Sequence, residues 1–235
     1  MKTGIRALKK QAKRVYHDQL GDLMVIHLLY SVCLNVITII SVTMGTYIIR
    51  GPLEYGLYKS YYRASRDEDV TAAYLLDGFK NCFGDSFLIG LVQTLVEAVP
   101  RGLLLAHIMI LVVSLTTLSS KLEWINIEMS SSTLVISLFI GLLLIAADAL
   151  SIVLRYALAM SQYILARNPD MDPADALKAS GRMMKGNKFR LFRLKLSYIL
   201  WAVAALCTGG LSTIYARPYL TSAKVQMFND IYAMC

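Results

Sequence analysis

The sequence predicts an all-α, multi-pass transmembrane helical bundle of four to six membrane segments with amphipathic interfacial helices. Of its 235 residues, 56% are hydrophobic and only 17% are charged. With a mean hydropathy of +0.52, the chain is too apolar to hide its surplus in one soluble core. The apolar residues also gather into blocks at 23–49, 83–118, 134–166 and 196–215, each of the ~20 residues that a helix needs to cross the hydrocarbon core. We read residues 1–235 as a single membrane domain.

Residues 1–22 form a basic amphipathic segment. Ile5, Leu8, Ala12 and Val15 share one helical face, and Arg6, Lys9, Lys10, Lys13 and Arg14 fill the remainder. The pattern suits a helix lying in the membrane interface or a basic tail that sets orientation, and the spacing does not separate the two. The block at 23–49 is longer than the ~7–15 apolar residues of a signal peptide and lacks a small-residue cleavage site. It is expected to be a retained membrane segment.

The segment 50–82 begins with Arg50-Gly51-Pro52, where Gly and Pro are expected to interrupt the helix. Tyr55, Tyr58, Tyr61 and Tyr62 then recur at spacings of three and four, matching aromatic anchors at headgroup level in an interfacial helix. The block at 83–118 carries Pro100 in its middle, where a kink is expected. A short polar connection follows, with Trp124 expected at the interface.

After the third block, Asp172 as N-cap, Pro173 at the first helical position and Asp175 in the first turn announce a new helix. Lys185-Gly186 closes it. Residues 168–195 hold seven basic residues against three acidic ones. Lys178, Arg182, Lys185, Lys188, Arg190 and Arg193 are the candidate contacts to anionic lipid headgroups, beside the Phe189, Phe192 and Leu196 face. In the final block, Ala205, Gly209 and Thr213 form a small-residue stripe for helix packing, within the chain or against a partner.

Basic residues number six in 1–22, five in 50–82, one in 119–133 and seven in 168–195. The positive-inside rule therefore puts 50–82 and 168–195 in the cytoplasm and the Ser-rich connection outside. One crossing by 23–49 would then leave the basic N-terminus outside. Either that block dips and returns, or the second breaks at Pro100 into two crossings, or the orientation bias is weak.

Charges inside apolar blocks are costly, and they mark either a polar pathway or a structural network. The candidate intramembrane polar site is Glu97, Arg101, Asp148, Arg155 and Asp85. Glu97 and Arg101 are four apart and share a face of an unbroken helix. Asp148 has no cation at pairing distance in its own block and is expected to meet Arg101 from the neighbouring helix. His27 and His107 are read as packed residues.

Cys33, Cys82, Cys207 and Cys235 show no metal-ligand or disulfide spacing. Metal-protease, nucleophile-elbow, phosphate-loop and EF-hand signatures are absent from the sequence. No catalytic, metal or cofactor residues are therefore assigned, and an enzyme is the weaker class. The formal charge of +8 is assigned to membrane lipids rather than to nucleic acid.

The run Tyr156-Ala157-Leu158-Ala159-Met160-Ser161-Gln162-Tyr163 is followed by Ala176-Leu177-Lys178-Ala179-Ser180, Met184-Lys185-Gly186, Leu196-Ser197-Tyr198 and Arg217-Pro218-Tyr219. Over about residues 45–235 this resembles the bacterial integral membrane family filed as domain of unknown function 975. The resemblance implies a multi-pass protein of the bacterial cytoplasmic membrane with no established reaction, and it carries over no catalytic residues. Ala147-Asp148 stands where family members usually have Pro-Gly, which makes Asp148 particular to this chain.

The leading expectation is a non-enzymatic protein that transports, exports or protects against an amphipathic peptide or lipid. The alternative is a scaffold or assembly subunit, as a homo-oligomer or with another membrane protein, and a lipid-acting enzyme is third.

Overall fold

The computed structural model describes residues 3–40, 44–119, 131–210 and 212–234; Trp124 and Cys235 lie outside them. Among the described residues there are eleven α-helices, one short 3-10 segment at Ala72–Leu76, and no strand. The helices are α1 (Ile5–Asp18), α2 (Leu20–Ile40), α3 (Met44–Ala64), α4 (Asp77–Asn81), α5 (Phe83–Ser119) and α6 (Ser131–Ala157), followed by α7 (Ser161–Arg167), α8 (Pro173–Met183), α9 (Lys188–Leu196), α10 (Ile199–Cys207) and α11 (Ser212–Tyr232).

Three stretches among the described residues, Leu20–Ile39, Phe83–Val113 and Val135–Arg167, are long and apolar enough to cross a membrane. The fourth expected block is split between α10 and α11 by Gly209 and Gly210, whose φ angles are +58° and +94°. α5 continues as helix through Pro100, so it does not divide there. The expected α8 start is present, with Asp172 Oδ1 accepting from Ala174 N at 2.7 Å.

The chain divides into two compact units, Met1–Val92 with Tyr156–Cys235, and Gln93–Arg155. In the first, the middle of α3 is deeply placed. Residues 51–57 are all buried, and Tyr55 and Tyr61 are buried in the core rather than anchored at headgroups. Gly51-Pro52 does not end the helix as its sequence suggests; it makes the helix thin. A Cβ on Gly51 would lie 2.3 Å from Ser86 O, and one on Gly78 would lie 2.1 Å from Pro52 O. The missing side chains let neighbouring backbones touch α3 directly.

The apolar face of α1 is taken up by protein: Leu8, Ala12 and Tyr16 are fully buried, and Tyr16 meets Tyr215 of α11 edge-on at 5.2 Å. Lys9 lies over the Tyr198 ring at 4.6 Å, and Tyr219 Oη donates to Lys9 O at 3.2 Å. That face is consequently not available to lie in the membrane interface. Thr3 and Arg190 both bind the Asp230 carboxylate, tying the start of the chain and α9 to α11.

The second unit consists of most of α5 and α6. Its apolar side chains are largely bare: Leu103 is 55% exposed, Ile110 66% and Leu138 68%. Surfaces of this kind are stable when lipid replaces water around them.

Candidate functional site

Glu97 lies near the middle of Phe83–Val113. Its Oε1 accepts from Arg101 at 2.9 Å, one turn along α5, and from Arg155 of α6 at 2.6 Å. One carboxylate therefore serves two guanidinium groups and leaves a local surplus of positive charge. The two arginine side chains are 47% and 37% exposed, while Glu97 is 22% exposed. The triad is thus half-covered, with its cationic side turned outward.

Pro100, at the same level, has no N–H to give to the carbonyl of Val96, which adds an acceptor to this polar notch. A single level of ion pairing in an apolar helix pair fixes the register of the two helices. It also gives an incoming charged group partners at depth.

Asp148 does not meet Arg101 as expected. Arg101 is held by Glu97 on its own helix, and Asp148 stands two turns before Arg155 on α6; among the described residues no cation pairs with it. Its Oδ1 is buried with no hydrogen-bond partner. His107 Nε2 is likewise buried without a partner, and a Cβ on Gly141 of α6 would lie 3.2 Å from it. Asp85 belongs to the other unit, at the first turn of α5, where Cys82 Sγ is 3.8 Å from its Oδ2.

The basic set on α8 and α9 is divided. Lys178, Arg182, Lys185 and Arg193 are exposed, Lys188 is half-exposed, and Lys178 pairs with Asp175 at 3.2 Å. Arg190 is corrected: its guanidinium is spent inside the protein on Asp230 and on Thr3 O at 2.6 Å. Opposition from burial notwithstanding, the hydrogen bonds from Thr3 and Arg190 hold the Asp230 carboxyl below its ordinary value.

The stripe Ala205, Gly209 and Thr213 is also corrected. Ala205 is on α10, Gly209 in the turn and Thr213 on α11, so the three do not lie along one helix and cannot form one packing face.

Sequence reasoning missed a second polar cluster, in the first unit. Glu54 is 8% exposed and accepts from Arg50 Nε at 2.9 Å and Tyr30 Oη at 3.4 Å. Tyr58 and Tyr163 stack beside it with centroids 4.0 Å apart. Lys224 of α11 is half-buried near Glu54, and burial holds its amine below the ordinary range while the Glu54 charge opposes the shift. The available signal was the four-residue spacing of Arg50 and Glu54, hidden because Gly51-Pro52 reads as a helix end. Among the described residues no group of His, Cys, Asp and Glu is placed to hold a metal ion.

A family model described as a protein of unknown function, DUF975, matches residues 1–234. The match takes in the N-terminal region as well as the motifs from Gly51 onward. No curated protein and no solved structure matches the chain. The motif runs in α7, α8 and α11, together with a match spanning nearly the whole length, show that this chain belongs to the DUF975 family.

Proposed function

We propose that the protein is a non-enzymatic component of the bacterial cytoplasmic membrane that transports, exports or protects against an amphipathic peptide or lipid, using the polar notch of the second unit. The reading is carried by one observation: within a largely apolar helix pair, Glu97 of α5 is shared by two partly exposed arginines, one of them Arg155 near the end of α6. A substrate with an apolar body and a charged end gains lipid-like contacts along α5 and α6 and a counter-charge at the notch. Asp148 supplies the opposite sign nearby, for a cationic group.

The bilayer position is supported by α9, where Phe189, Phe192 and Leu196 are 69%, 44% and 48% exposed beside Arg193. Such a face dips into the headgroup layer, and the exposed cations of α8 meet anionic lipid on the cytoplasmic side.

The test uses the full chain in vesicles of phosphatidylethanolamine and phosphatidylglycerol. Two rates are followed: transbilayer movement of a fluorescent phosphatidylglycerol and entry of a labelled amphipathic peptide. The protein is expected to change one of them, and Arg101→Gln or Asp148→Asn to diminish that change about tenfold, the equivalent of one charge-assisted contact. If both variants fold normally and behave as the unaltered protein does, the notch is structural and the reading is wrong.

A further inference from the structure

A polar groove of about 540 Å³ opens between α2 and the turn joining α10 to α11. On α2, His27, Ser31 and Asn35 follow one another a turn apart and line it from an otherwise apolar helix. The opposite wall is the Gly209-Gly210 turn with Thr213 and Arg217 of α11. Both glycines have positive φ, the left-handed backbone that side chains disfavour. A Cβ on either would meet nothing within 4 Å, so the turn bends without filling the space beside it.

The groove is rich in donors and has no acid among its described lining residues. Ser31 and Thr213 spend their hydroxyl hydrogens on His27 O and Gly210 O, at 2.9 and 2.6 Å. Asn35 Nδ2 gives one hydrogen to Ser31 O at 2.7 Å and keeps the other. His27 is only 7% exposed, with Nδ1 3.5 Å from Tyr61 Oη. The Arg217 side chain has no hydrogen bond or ion pair among the described residues, and Lys224 two turns on adds a second cation rather than an acid. Arg217 is nonetheless held in place, because the next residues are buried Pro218 and half-buried Tyr219, the latter bonded to Lys9 O of α1.

An unpaired guanidinium in a groove that an imidazole and an amide also line is the chemistry that receives a tetrahedral oxyanion. Exposed Leu28 and Ile214 at the rim, 49% and 41% exposed, add apolar surface of the kind an acyl chain covers. We propose that this groove binds a phosphate-bearing anion, with Arg217 as its anchor and His27 and Asn35 as hydrogen-bonding partners. The sources with that chemistry are an anionic phospholipid headgroup and free phosphate. This site lies in the first unit and does not depend on the notch or on any transport activity.

Native mass spectrometry of the full chain in mild detergent, titrated with dioleoylphosphatidylglycerol or dioleoylphosphatidylcholine, tests the lipid source, and thermal stabilisation by inorganic phosphate tests the other. One phosphatidylglycerol is expected to stay bound in preference to phosphatidylcholine. Arg217→Gln should weaken it about tenfold, the equivalent of one charge-assisted contact; Arg217→Lys should restore part, and Lys80→Gln at an exposed position of α4 should change nothing. Stabilisation by inorganic phosphate that Arg217→Gln abolishes, without selective lipid retention, would support the same site with free phosphate as its ligand. If Arg217→Gln and Asn35→Leu, both at exposed positions, retain lipid and respond to phosphate as the unaltered chain does, the proposal is overturned.

Discussion

Arg155 of α6 donates to Glu97 of α5 at 2.6 Å, and among the described residues it is the ion pair that joins these two helices. Because Arg101 uses the same carboxylate oxygen, removing Glu97 uncovers two charges at once. Glu97→Gln is expected to cost about 1.5–3 kcal/mol, the scale of hydrogen bonds to charged groups. Thermal unfolding of the purified protein in lipid nanodiscs measures it. Adding Arg155→Gln to Glu97→Gln should recover part of the loss, since the second change removes one of the stranded cations. A double variant less stable than the sum of the single changes would show that the pair is not the unit that matters.

Close backbone approach in the first unit makes an opposite pair of predictions for glycine. A Cβ on Gly90 would lie 2.6 Å from Gly51 Cα, whereas one on Gly84 or Gly102 of the same helix would meet nothing within 4 Å. Gly90→Ala must push two helices apart and should destabilise by about 1–3 kcal/mol, the range for overpacking. Gly102→Ala should instead stabilise by up to about 1 kcal/mol, because a helix interior favours alanine, and Gly84→Ala in the first turn should be close to neutral. Unfolding midpoints of the three variants decide the matter.

These glycines also explain how far the sequence could be read. Apolar block length located α2, α5 and α6, and the Asp172-Pro173 signal located the start of α8, because both depend on local physics alone. Gly51-Pro52 and the four tyrosines after it misled, because a Gly that ends a helix in water and a Gly that admits a neighbouring backbone look alike in sequence. Glu97 and Arg101 were legible from their four-residue spacing. Arg155 as the second partner required the register of α6 against α5, and the Glu54 cluster required knowing that α3 is buried.

The Asp230 clamp gives a pH dependence with a definite sign. Its folded-state carboxyl lies below the ordinary value near 3.8, burial being outweighed by the bonds from Thr3 and Arg190. A depressed carboxyl contributes stability that is complete above the ordinary value and is lost as pH falls through the folded one. Denaturation between pH 5 and 2 should therefore be steeper for the unaltered chain than for Asp230→Asn, whose clamp is already broken. Equal slopes would mean that the carboxylate contributes nothing to the fold.

Insertion of α9 is open to a spectroscopic test. Phe189 is 69% exposed next to Lys188, while Leu191 on the same helix is 1% exposed. A tryptophan at Phe189→Trp should be quenched by lipids brominated near the headgroup end of their chains, as expected of a face lying in the interface. Quenching should weaken when phosphatidylglycerol is replaced by phosphatidylcholine, since the cations of α8 and α9 then lose their counter-charge. No quenching in either lipid would place this face against water or protein.

Asp148 separates stability from function most directly. Its Oδ1 is buried without a partner, and an unsatisfied buried oxygen costs about 1–3 kcal/mol. Asp148→Leu should therefore raise the unfolding midpoint, because the apolar side chain leaves no polar atom to desolvate. A chain that carries such a cost has a reason to keep the carboxylate only if something charged visits it. Under the proposed reading the same variant should lose activity toward a cationic amphipathic peptide while gaining stability. A variant that gains stability and keeps full activity would make Asp148 an accident of this sequence and leave Glu97, Arg101 and Arg155 as a register lock.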